Sequence, residues 1–115
     1  MENLNSFELS VLERLSNEYP TIKYHLPFLR VLSRETTGVG VFVYFCYAET
    51  SDDIPDLDID ERGISINEAI EIPGLIHGLI YVVFITDGKL DFLELVTLDE
   101  PWDGNTDDIM PVWSP

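Results

Sequence analysis

A chain of 115 residues fits one ordinary domain and leaves no room for a second packed core. With 45% hydrophobic residues, gathered into runs of Val, Ile, Leu, Phe and Tyr, it has the apolar surface to fold, which excludes global disorder. A net charge of -16, from 22 acids and 6 bases, excludes the cation clusters that phosphate backbones and anionic membranes attract, so neither nucleic acid nor membrane is an expected partner.

The first element is a helix over residues 6–18. Asn5 stands as its cap with Glu8 three positions on, and Leu4 and Leu9 are spaced to staple the turn. Leu9, Leu12, Leu15 and Tyr19, widened by Leu4, Phe7 and Val11, make one apolar face, and Pro20 ends it. Residues 21–27 suit a short helical turn in which Pro27 occupies a turn or a new first position.

A hairpin follows, with strands over 29–35 and 39–48 separated at Thr36-Thr37-Gly38. Its second strand is apolar on both parities and reads as central and covered on both faces. Gly38-Val39-Gly40 is too short for a phosphate-binding loop and fits a turn with close strand approach. Residues 49–63 form one long acidic loop, and a third strand lies within 64–72, although Asn67-Glu68-Ala69 also suits a helical turn. Residues 75–86 and 89–98 flank Asp87-Gly88, the dipeptide of a two-residue hairpin. Residues 101–115 carry Pro101, Gly104, Pro111 and Pro115 and read as an irregular tail. The expected fold is α+β, a single domain with an N-terminal helix packed on a mainly antiparallel sheet of about five strands.

Charge is unevenly placed. Residues 1–48 hold five acids against four bases, whereas residues 49–115 hold seventeen acids against Arg62 and Lys89 alone. The lone Cys46, between Phe45 and Tyr47, reads as a buried hydrophobe. No run reaches the roughly 18 apolar residues of a membrane span, and Met1-Glu2-Asn3-Leu4 lacks the character of a secretory signal, so a cytoplasmic protein is expected.

Chemistry-bearing motifs are sparse. Asp56, Asp58 and Asp60 alternate like the start of an EF-hand loop, but Glu61 stands at its glycine position and Asn67 at its last ligand, so no metal or cofactor is expected. His25 and His77 share no zinc or triad spacing and suit local hydrogen bonds. Glu94 shares strand parity with Leu90, Phe92, Val96 and Leu98, which calls for an edge position or a partner such as Arg30 or Arg34. In the tail, Trp102, Ile109, Met110, Val112 and Trp113 are apolar anchors among acids. That pattern suits a binding hot spot, and it also suits a tail packed over the sheet, the preferred arrangement.

The stretch Phe84-Ile85-Thr86-Asp87-Gly88-Lys89-Leu90-Asp91-Phe92-Leu93-Glu94-Leu95, with residues 9–20, resembles a loose group of small uncharacterised bacterial α+β proteins. The resemblance implies a bacterial origin and this element order, and it transfers no catalytic residue. In size and charge the chain is similar to toxin-immunity proteins.

The functional readings are then three. One is an acidic, non-enzymatic binding domain, an immunity protein occluding a basic toxin or nuclease. Its contacts would be Asp52, Asp53, Asp56, Asp58, Asp60 and Glu61 in the loop, with Trp102, Asp103, Asp107, Asp108 and Trp113 in the tail. The others are a structural or regulatory domain, and a ligand-binding or enzymatic domain using Glu94.

Overall fold

The computed structural model describes residues 1–48, 54–59, 63–65 and 68–114. Helix α1 runs Ser6–Leu15 and starts on a reciprocal capping box. Asn5 Oδ1 accepts from the Glu8 N–H at 2.8 Å, and Glu8 Oε1 accepts from the Asn5 N–H at 2.9 Å. The helix stops short of residue 18, because Ser16 caps it and the chain turns before Pro20. Its buried face is Phe7, Val11, Leu12 and Leu15, rotated away from Leu9, which is 37% exposed. Helix α2 (Ile22–His25) leads into a 3-10 turn, Leu26–Phe28, where Pro27 sits in the opening positions that need no N–H partner.

The chain is α+β with an antiparallel sheet of seven strands among the described residues, two more than the sequence suggests. They are β1 (Leu29–Thr36), β2 (Gly40–Tyr47), β3 (Gly63–Ile64), β4 (Ala69–Glu71), β5 (Leu79–Thr86), β6 (Lys89–Thr97) and β7 (Val112–Ser114). The spatial order is β1-β2-β6-β5-β4-β7, with β3 also pairing along β5. The extra strands have two causes, the first being that the third expected strand divides into β3 and β4, which meet β5 at different points, Val83–Phe84 and Leu79. The tail then adds β7 onto β4, Trp113 opposite Ile70, so its end is ordered by a distant partner rather than by its own alternation.

The Asp87–Gly88 hairpin forms as expected, with φ 52° and 76° at the two turn residues. Gly38, at φ 90°, turns the chain between β1 and β2. The edge strand β1 carries a bulge at Leu32, and beyond it Glu2 bridges Val31 through two backbone hydrogen bonds of 3.0 and 2.7 Å.

Among the described residues the core lies on one face of the sheet. Val31, Val43, Tyr81, Val83, Leu93 and Leu95 are buried there under α1 and Ile22. Strand β2 is central, but the described residues cover it on that face alone. Its alternate residues Phe42 and Tyr44 lie on the opposite face with Phe84 and Phe92, half-buried by one another, and no described helix packs on them. No helix among the described residues is long and apolar enough to cross a membrane.

Candidate functional site

The acidic loop divides in two. Asp52, Asp53, Asp60 and Glu61 lie outside the described residues, whereas residues 54–59 are laid against the body of the protein. Ile54 and Leu57 are buried and Ile59 packs on the core, so hydrophobes spaced between the acids anchor a segment whose charge alone would repel itself. Leu57 N–H donates to Gly88 O at 2.9 Å, pinning the segment to the hairpin turn. Asp58 points to solvent. Asp56 accepts from Lys89 Nζ at 2.6 Å, and this bond holds its carboxyl below the usual range.

The tail acids sit in a tightly turned segment. Asp103 accepts from the Asn105 N–H and Asn105 Oδ1 from the Asp107 N–H, both at 2.9 Å. Asn5 Nδ2 donates to the buried Thr106 hydroxyl at 2.9 Å and to Asp107 at 3.3 Å, tying the tail to the start of α1. Asp108 takes φ 60°, a left-handed conformation that aspartate tolerates. Asp103, Asp107 and Asp108 remain exposed. Beside them, Glu100 accepts from the Ile76 and His77 N–H groups at 2.8 and 2.7 Å, which lowers its carboxyl below the ordinary range.

Both tryptophans are half-buried against the core. The Trp102 backbone N–H donates to Gly38 O at 2.9 Å, and the residue lines an open groove of about 570 Å³ with Leu75 and Asp103. Trp113 stands edge-on to Tyr81, with centroids 5.7 Å apart, and the Arg14 guanidinium lies 5.0 Å from its ring centroid. Arg14 in turn pairs with Glu68.

The predicted contact residues therefore do not form one patch. Residues 54–59 lie at the Asp87–Gly88 end of the β5–β6 hairpin, and residues 97–107 at its other end. Eight residues of β5, at about 3.3 Å each, separate them by about 25 Å.

His25 explains how the acidic segment is held. The ring is fully buried, with Nδ1 2.8 Å from Tyr47 Oη and Nε2 2.8 Å from Pro55 O. The Pro55 carbonyl can only accept, so Nε2–H donates to it and Nδ1 of the neutral ring accepts the Tyr47 proton, while Tyr47 Oη accepts from the Leu90 N–H at 2.8 Å. Burial pushes Tyr47 up to about 12, keeping it a donor. This arrangement needs a neutral imidazole, and burial lowers the His25 pKa below 6.5, helped by Lys89 and opposed by the Pro55 bond and Asp56.

Between the lowered value and about 6.5 the unfolded chain binds the extra proton, so this contribution to stability is complete above about pH 6.5 and declines as pH falls. Urea unfolding at pH 8 and pH 5.5 should show the parent losing stability relative to His25→Gln, which keeps a donor and an acceptor. Parallel pH profiles for the two would refute this.

Glu94 shares its face with Phe92 and Val96 as parity counting places it, but not with Leu90. It lies on the open face with Phe92, while Leu90 turns to the core, because the register shifts opposite Phe84 and Ile85. It pairs with neither proposed arginine: Arg34 binds Glu8 and Glu2, and Arg30 donates to Pro27 O and Leu29 O. Sequence reasoning missed the four-ring open face as a surface, although the aromatic parity of β2 was its visible signal. Among the described residues no three His, Cys, Asp or Glu side chains gather closely enough to share a metal ion. No protein-family model, curated protein or solved structure matches this chain.

Proposed function

We propose that this chain is an acidic protein-binding domain, most concretely an immunity protein that occludes a basic toxin or nuclease. The observation that carries the reading is charge: seventeen of 22 acids follow residue 48, against two bases. Exposed carboxylates at both ends of the sheet, Asp58 at one and Asp103, Asp107 and Asp108 at the other, make an extended negative field. Such a field steers a cationic protein from a distance, and the domain then acts by covering the partner's surface rather than by chemistry. Its similarity in size and charge to immunity proteins supports the same reading.

Steering by exposed charges is screened over about 8 Å at physiological ionic strength, so association should slow steeply with salt. Immobilised protein exposed to a bacterial lysate and eluted with a salt gradient should release one basic protein in a narrow window. That protein, once purified, should bind directly, and more slowly when Asp56, Asp58 and Asp60 become Asn. A stoichiometric partner that is neutral or acidic, or an association rate indifferent to salt, would refute the reading.

A further inference from the structure

The open face of the sheet has a defined chemical pattern. Two rows of directly opposed residues cross β1, β2, β6 and β5. One runs Glu35, Phe42, Glu94, Val82, and the next runs Ser33, Tyr44, Phe92, Phe84. Phe84 and Phe92 stack at 4.4 Å, while Tyr44 and Phe42 lie 5.6 and 5.9 Å from Phe92. At β3 the Phe84 and Val82 side chains lean over Gly63, where an added Cβ would come within 2.3 Å of Val82.

Glu94 is thus a carboxylate set between Phe42 and Val82 and beside the ring cluster. Neither it nor the Tyr44 hydroxyl makes a hydrogen bond, and Glu94 makes no ion pair, among the described residues. Contiguous apolar surface with aromatic anchors is what protein interfaces present. A purely apolar partner laid over this face would strip water from an unpaired carboxylate and leave it uncompensated. A second copy would bring another Glu94 and another -16 charge onto the first. What fits is a cation carried among apolar groups, pairing with Glu94 while the flanking rings receive it through their π faces.

We infer that this face is the docking surface for a partner segment that places an arginine or lysine, flanked by apolar side chains, onto Glu94 between the aromatic rings. The inference rests on the basic-partner reading and relocates the desolvated contact from the tail tryptophans to the middle of the sheet. The acidic ends then steer, and the face binds.

The test is an NMR titration of isotope-labelled protein with a five-residue peptide alternating valine and arginine, at 150 mM salt, against the same peptide with glutamate for arginine. The arginine peptide should shift Phe42, Tyr44, Phe92 and Glu94. Glu94→Gln, with an otherwise unchanged spectrum, should weaken binding about tenfold, whereas Asp56→Asn and Asp107→Asn should change it less than about twofold. Binding confined to the acidic ends, unaffected by Glu94→Gln, would overturn the assignment and leave the basic-partner reading standing. Absence of binding by the arginine peptide would overturn both. Concentration-dependent dimerisation that protects the ring cluster would give the face to a second copy and overturn the assignment.

Discussion

Replacing Arg34 with methionine is expected to destabilise the fold by about 3 kcal/mol, lowering the melting temperature by roughly 10 °C or more. Arg34 reaches from β1 to the buried Glu8 of α1, donating from Nε at 2.7 Å and from Nη2 at 2.8 Å, while Nη1 holds Glu2 at 2.6 Å. The Glu8 side chain is 1% exposed, so loss of the guanidinium leaves a carboxylate without water or counter-charge. The pairing also raises the Arg34 pKa further above its ordinary value, so the cation persists at any working pH. A double variant, Glu8→Leu with Arg34→Met, should lose less than the sum of the single variants, since no orphaned charge remains. Chemical denaturation of all four proteins measures this; strict additivity would show that the pair is not coupled.

Gly40→Ala is expected to be comparably damaging, at about 3 kcal/mol, although the substitution adds one methyl group. A Cβ at Gly40 would lie 2.1 Å from Leu95 O and 3.1 Å from Val96 Cα, both main-chain atoms of the neighbouring strand. Backbone cannot swing aside as a side chain can, so β2 and β6 must part where Gly40 opposes Val96. Gly74→Ala is the natural comparison. It sits at φ 91° after Pro73, in a turn closed by the Leu75 N–H to Ile72 O, with nothing within 4 Å of an added Cβ. Only conformational strain of about 1 kcal/mol is expected there. Urea midpoints at unchanged m-value should therefore fall much further for Gly40→Ala, and equal shifts would defeat the steric argument.

What could be read in the sequence is what short-range chemistry determines. Asn5 and Glu8 announce the helix start because their bonds are made within one turn, and Asp87-Gly88 announces its hairpin because the turn itself demands left-handed residues. Long-range pairing was hidden. The three residues of β7 become a strand only because β4 is there to receive them, and β4 only because β5 lies beside it. The bulges at Leu32 and opposite Phe84–Ile85 defeat parity counting, which is why Leu90 and Glu94 appear to share a face and do not. Within the acidic loop, composition announced the charge but not that Ile54 and Leu57 would bury themselves, because three well-spaced hydrophobes are too few to stand out among aspartates. The ring cluster needed the register across β2, β6 and β5, which sequence alone does not supply.

The Glu2–Val31 bridge bears on how the molecule meets others. Sheets commonly recruit strangers along an outer strand, where unused amide and carbonyl groups invite another backbone, and the same invitation leads to fibrils. Here the bridge occupies both main-chain groups of Val31, the Leu32 bulge distorts the ladder beyond it, and Arg34 and Glu35 put charge on the remainder. At the far margin β7 is only three residues long. Strand addition is discouraged at both margins, so this protein can keep a broad aromatic surface open without turning it into a template for polymerisation.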